Sequence, residues 1–152
     1  VAEALTAMGL TVAQRSLDQP VGAETDVYIA DTLGELGLFY RLCDVVFIGK
    51  TLASGGGQNP IEPAQLDCAL IFGPDMSNFA AVAETLLRAG AALQVADAEA
   101  LTIQVERLLG DNAALSAMVH ASKAVATSEA GVMDRVMENL APYFEGNTDA
   151  RA

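Results

Sequence analysis

Apolar residues along this chain fall into short runs separated by turn-forming residues. Val1 to Met8 places them at helical spacing, and Gly9 supplies a C-terminal stop. Leu10 to Ala13 predicts a strand; Gln14 to Asp26, polar and carrying Pro20 and Gly22, predicts a loop. Val27–Ala30, Val45–Ile48 and Ala69–Phe72 are unbroken apolar runs, the pattern of strands covered on both faces, and Ala91–Val95 predicts a further strand. Between them lie three helical segments: Leu36–Leu42, a stretch from Pro60 through Ile61, Ala64 and Leu66, and Asn78–Arg88 stopped by Gly90. Asp97 opens a helix through Leu101, Val105, Leu108 and Leu109 that Gly110 closes, and Asp111 opens the next, with Leu115, Met118 and Val119 on its apolar side. A last helical stretch runs from about Val132 to Leu140, ahead of a polar tail over 142–152.

Strands that alternate with helices in this way predict a parallel sheet with helices on both faces, a three-layer α/β/α domain over 1–141. The chain has 152 residues, and 52% of them are hydrophobic, enough for a core and against disorder. A formal charge of −12 from 20 acidic and 8 basic residues excludes a duplex-binding face and independent docking on an anionic membrane. It leaves room for a small anion held by local amide groups. No apolar run reaches the ~18 residues of a membrane-spanning helix. Cys43 and Cys68 sit in apolar surroundings and predict two buried thiols; His120 predicts a surface residue, and no metal-ligand spacing is present. The chain opens on Val1 inside a predicted helix, which predicts a fragment of a longer protein.

In an open parallel sheet, ligands bind beyond the carboxyl ends of the strands. Two junctions of that kind stand out. Asp31-Thr32-Leu33-Gly34-Glu35-Leu36 follows the Val27 strand, and Gly49-Lys50-Thr51-Leu52-Ala53-Ser54-Gly55-Gly56-Gly57-Gln58-Asn59 follows the Val45 strand and leads to the Pro60 helix. Both lie at the same edge of the expected sheet and could face one pocket. Glycines let a backbone approach an anion and turn its amides inward, and a helix start adds a positive dipole end. The alternative is local. Thr32-x-x-Glu35 and Asn59-x-x-Glu62 both resemble capping boxes, in which each Glu closes its own first helical turn, and the glycine loop is a connector. The loop is neither GxxxxGK[ST] nor GxGxxG.

The motif strings go further than the periodicity. Asp31-Thr32-Leu33-Gly34-Glu35-Leu36-Gly37-Leu38-Phe39-Tyr40, then Cys43-Asp44-Val45-Val46-Phe47-Ile48-Gly49, then Gly56-Gly57-Gln58-Asn59-Pro60-Ile61-Glu62-Pro63-Ala64, then Phe72-Gly73-Pro74 with Asn78-Phe79 closely resemble the 3-deoxy-D-manno-octulosonic acid (Kdo) transferases. The resemblance implies a Rossmann-like domain, the C-terminal, CMP-Kdo-binding half of a GT-B glycosyltransferase. The acceptor half, with its membrane anchor and catalytic base, would lie outside this chain. The implied reaction transfers Kdo from CMP-Kdo to the lipid A precursor in lipopolysaccharide biosynthesis, at the cytoplasmic face of the bacterial inner membrane, with no cofactor and no metal. The isolated chain is then soluble and inactive.

By matching motif positions, the resemblance assigns Glu62 to the ribose hydroxyls, because a carboxylate accepts two hydroxyl hydrogen bonds. It assigns Asn59, Gly56 and Gly57 to the phosphate or the Kdo carboxylate, and Thr51 to a hydroxyl contact with the phosphate. Gly34, Glu35 and Leu36 would line the nucleotide through backbone amides. Gln58 replaces a family His, offering a neutral hydrogen bond where a charged one is usual. Lys50 replaces a Gly and could restore the lost charge. Two rival classes remain: a GT-B donor half using a UDP-sugar, and a non-catalytic flavodoxin-like binding module.

Overall fold

The computed structural model describes the backbone of residues 1–145 and the side chains of 1–128 and 139–141; residues 146–152 of the expected tail lie outside the described residues. The chain forms two compact units, Val1–Phe39 and Tyr40–Ala152.

In the first unit, α1 (Ala2–Ala7) precedes β1 (Val12–Gln14), a 3₁₀ turn (Arg15–Leu17) and β2 (Val27–Ile29). Gly9 takes φ +85°, and the Leu10 amide returns to the Leu5 carbonyl at 3.2 Å, which stops α1 where the glycine predicts. β1 and β2 pair in parallel, Val12 opposite Val27 and Gln14 opposite Ile29. Ala13 is the buried apolar residue here, at 5% exposure, while β2 is half-buried throughout. Polar bonds hold what little core there is: the Asp26 carboxylate accepts the Thr11 amide at 2.8 Å. α2 (Leu36–Tyr40) leads into the second unit.

The second unit runs β3 (Val45–Ile48), α3 (Ile61–Gln65), β4 (Ala69–Phe72), a 3₁₀ turn (Ser77–Phe79), α4 (Ala80–Arg88), β5 (Ala92–Gln94), α5 (Ala98–Gly110) and α6 (Asn112–Glu145). The strands pair in parallel in the order β3-β4-β5, with Val46 opposite Leu70 and Leu70 opposite Ala92. All four residues of β4 are fully buried, as an unbroken apolar run requires of a central strand. Alternation sends Ile48, Leu70 and Phe72 to one face, against Ala64, Ala83, Leu86, Val125 and Ala126 of α3, α4 and α6. Ala69 and Ile71 face the other side, against Leu108 of α5 and Met118 of α6. These are the helix, sheet and helix layers expected. Each fully buried Leu, Ile or Phe contributes about 1.5–3 kcal/mol.

Three expectations need correction. The predicted final helices are one: α6 is continuous through Glu145 from its Asp111 cap, whose carboxylate accepts the Ala113 and Ala114 amides at 3.0 Å. No proline lies between Val119 and Val132, where the two predicted helices join, and Gly131 alone costs only about 1 kcal/mol in a helix. The Pro60 helix is five residues long and begins at Ile61, so its dipole end is weaker than a full helix would give. Cys43 is exposed, because it falls in the turn before β3; Cys68 is buried as expected. Burial pushes the Cys68 thiol up to about 11, and its Sγ donates to the Tyr40 carbonyl at 3.1 Å, so it is an inert core group. His120 lies on the surface as expected.

Candidate functional site

In the first unit, the turn after β2 is held by ion pairs and hydroxyls. Asp31 accepts the Ser16 amide at 2.9 Å, the Ser16 hydroxyl at 2.6 Å and the Gln14 side-chain amide at 2.6 Å. The Ser16 hydroxyl, then its amide, then Gln14 lower the Asp31 carboxyl to about 2. Arg15 grips Glu35 with two nitrogens, Nε at 3.1 Å and Nη2 at 2.9 Å, and the Thr32 hydroxyl donates to the same carboxylate. Arg15's hydrogen bonds, then Thr32's, hold Glu35 below the usual carboxylate range. The Glu35 side chain is therefore engaged within its own unit, by an arginine and not by the capping-box amide. What this turn offers a ligand is backbone: Gly34 at φ +86°, then the amides of Glu35 and the exposed Leu36.

In the second unit, the loops that follow β3 and β4 are bolted together. Thr51 is fully buried; its hydroxyl donates to the Ile48 carbonyl at 2.7 Å and accepts the Gly73 amide at 2.7 Å. The Thr51 carbonyl accepts the Asp75 amide at 3.0 Å. A β-carbon on Gly73 would lie 2.3 Å from that same carbonyl oxygen, so Gly73 is what lets the two loops touch. Thr51 was expected to give its hydroxyl to a phosphate. Its proton is committed to Ile48, and it acts here as a buried staple between strand ends.

The glycines likewise differ from expectation. Gly56 and Gly57 are buried at φ +76° and +77°, where a β-carbon would meet the Asn78 amide at 2.3 Å and the Met76 sulfur at 2.7 Å. Their amides were expected to face an anion. Instead Asp75 Oδ2 accepts the Gly55 amide at 2.8 Å and the Gly56 amide at 3.0 Å, while its other oxygen accepts the Ser77 hydroxyl at 2.8 Å. The Gly57 amide donates to the Lys50 carbonyl at 3.1 Å, and the Gln58 amide to the Gly49 carbonyl at 3.2 Å. Two successive amides around one oxygen form an anion nest, and the chain fills it with its own carboxylate. The Gly55 and Gly56 amides, then Ser77, hold Asp75 well below the usual carboxylate range.

The exposed polar side chains here include Lys50, Ser54, Gln58 and Asn59 on the loop and Glu62 in the first turn of α3. Asn59 Oδ1 accepts the Ile61 amide at 3.0 Å, which ties its side chain to the start of α3. Glu62 is exposed and makes no hydrogen bond or ion pair among the described residues, so the capping-box alternative does not engage it. Its charge reaches Tyr40: burial first, then Glu62, pushes the Tyr40 phenol up.

Sequence reasoning missed Asp75 and Arg15. Asp75-x-Ser77 carries the signature of an Asx turn, but its partners lie 19 and 20 positions upstream. Arg15 stands 20 positions from Glu35 inside a segment read as loop.

A three-stranded parallel sheet with helices on both faces and its polar loops at the strand carboxyl ends is a Rossmann-like α/β/α domain. Its relatives give it a narrower place. No family model matches the chain. It is 36% identical over 141 residues to a 3-deoxy-D-manno-octulosonic acid transferase from Bordetella pertussis, covering 92% of this chain and 33% of that protein. A transferase of the same name from Haemophilus influenzae is 32% identical over 135 residues, covering 88% and 32%. The crystal structure of the C-terminal CMP-Kdo binding domain of WaaA from Acinetobacter baumannii superposes with a TM-score of 0.78 at 32% identity, over 81% of this chain and 64% of that one. Over most of its length the chain is similar to these Kdo transferases and to the C-terminal CMP-Kdo binding domain of WaaA; it spans about a third of the length of these curated relatives.

Proposed function

We propose that this chain is the donor-binding domain of a Kdo transferase and binds CMP-Kdo. The observation that carries the reading is Glu62: an exposed carboxylate with no hydrogen bond or ion pair among the described residues, in the first turn of α3 directly after the loop that Thr51 staples. A free carboxylate accepts both hydroxyls of a ribose, which a carboxylate already gripped by arginine does less well. Asn59 and Gln58 present side-chain amides beside it for the phosphate or the sugar carboxylate. Gly56 and Gly57 serve by close packing, and Thr51 by stapling. The Gly34, Glu35 and Leu36 turn of the first unit carries its own part of the reading through backbone amides.

In the proposed reaction, CMP leaves as the Kdo bond breaks, and its phosphate gains charge. Donors already fixed in place stabilise that charge at no cost in reorganisation. The acceptor hydroxyl of the lipid A precursor needs a general base, which this reading assigns to the acceptor half of the parent enzyme. The parent would work at the cytoplasmic face of the bacterial inner membrane without a metal or other cofactor. Among the described residues of this chain, no helix is long and apolar enough to cross a membrane.

Calorimetric titration of the chain with CMP, UMP and UDP tests the donor assignment. CMP is expected to bind most tightly; a preference for a uridine nucleotide overturns the assignment in favour of a UDP-sugar. Lipid transfer by this chain alone would contradict the division of labour.

A further inference from the structure

The glycine loop has the form of an anion site, but the four successive amides of Gly55 to Gln58 are already engaged. Gly55 and Gly56 donate to Asp75, Gly57 to the Lys50 carbonyl and Gln58 to the Gly49 carbonyl. An anionic ligand at the glycine turn therefore finds the Gly55–Gly56 nest closed and meets the negative charge of Asp75 there. The attraction that these four amides do not supply can come from a side chain. Among the described residues, the cation on this loop is Lys50, which is exposed and forms no ion pair.

The backbone at Lys50 makes the choice of residue informative. Lys50 adopts φ +61°, in the left-handed region that favours glycine. Two other non-glycine residues among those described do the same, Asp18 and Asp67, and aspartate visits this region more readily because its short side chain bonds locally. Lysine has no such compensation. The loop is also shaped around it: a β-carbon on Gly55 would lie 2.9 Å from Lys50 Cβ, and the Lys50 carbonyl closes the loop by accepting the Gly57 amide at 3.1 Å. A strained position held by a flexible charged side chain is a position where the charge is wanted more than the conformation.

We propose that Lys50 is the specificity-determining cation of the donor site, supplying to the phosphate of CMP the charge that the glycine amides, closed on Asp75, do not supply. This rests on the CMP reading above. The pairing is a surface contact screened by salt, so its effect belongs at low ionic strength.

The test is calorimetric titration of the parent chain, Lys50→Gly and Lys50→Arg with CMP and with cytidine, at low and high salt. Lys50→Gly removes the charge and relieves the left-handed strain together. It should melt about 2 °C higher than the parent and bind CMP about fivefold more weakly at low salt, the deficit shrinking at high salt. Cytidine, which lacks the phosphate, should bind the parent and Lys50→Gly alike, and Lys50→Arg should bind CMP as the parent does. A parent that binds CMP and a Lys50→Gly variant that binds it equally well overturn the role of Lys50 and leave the CMP reading standing. A parent that does not bind CMP overturns both. Equal weakening toward cytidine overturns the phosphate assignment.

Discussion

The strand-end turns of the two units carry the same residue types and treat them in opposite ways. Each has a motif glutamate near the start of a short helix, and each has an aspartate fastened by backbone N–H and serine hydroxyl donors. In the first unit Glu35 is clamped by Arg15 and Thr32, and its charge is neutralised. In the second, Glu62 stands exposed, while the anchoring is done by Asp75 from the next loop. The difference lies in what supports the turn. The first unit has Ala13 as its buried apolar residue and holds its turn with charge; the second rests on the fully buried β4 and staples its loop with Thr51. A buried polar staple can fix a loop without occupying the loop's exposed side chains, and that leaves Glu62 available.

The sharpest way to break the contrast is through the core. Phe72→Ala should destabilise the second unit by about 3–5 kcal/mol, read by denaturant unfolding, because Phe72 is fully buried between strand and helices. Ile29→Ala in half-buried β2 should lower stability by less than half of that; equal losses would erase the distinction between the units. Next comes the staple. Thr51→Val keeps the shape and strands the Gly73 amide, for a loss of about 1–3 kcal/mol, while Thr51→Ser should stay near the parent. If Thr51→Val keeps full stability but loses CMP affinity, Thr51 is a ligand and not a staple. A smaller drop in melting temperature is expected for Arg15→Ala, which breaks a half-buried surface pair, with the Glu35 carboxyl rising toward its ordinary value as read by NMR titration.

Acid sharpens the comparison further. Asp31 and Asp75 both titrate below the ordinary value of 3.8, so the folded state binds fewer protons than the unfolded chain. Their stabilising effect is complete well above that value and is lost as pH falls through the folded values, about 2 for Asp31 and lower for Asp75. Thermal melts of Asp31→Asn and Asp75→Asn should depend less on pH below about 4 than those of the parent. Unchanged pH slopes would show that neither carboxylate holds its turn.

Much of this was readable from residue order, for physical reasons. An apolar run such as Ala69–Phe72 has one stable use in a chain of this kind, a strand buried on both faces, and β4 is that strand. Gly9, Asp97 and Asp111 act locally, so their effect on helix ends could be read from neighbours. The Asp97 carboxylate does accept the Ala100 amide at 2.8 Å. Groups whose partner lies far along the chain could not be read so. A glycine cluster predicts amides close to an anion, and the anion proved to be Asp75, some twenty positions on. A threonine in a polar loop predicts a hydroxyl for a ligand until Gly73, 22 positions away, takes it up. Cys43 followed its apolar neighbours in sequence but sits in an exposed turn. Motif strings located the two turns; only tertiary contacts separated the engaged glutamate from the free one.

The decisive measurement is the affinity of the chain for CMP against 2′-deoxy-CMP, before and after Glu62→Gln. A carboxylate holding the ribose diol predicts that the parent prefers CMP by about tenfold and that Glu62→Gln loses most of this preference without a change in melting temperature. A parent that binds both nucleotides alike, or a Glu62→Gln variant that keeps the full preference, would contradict it.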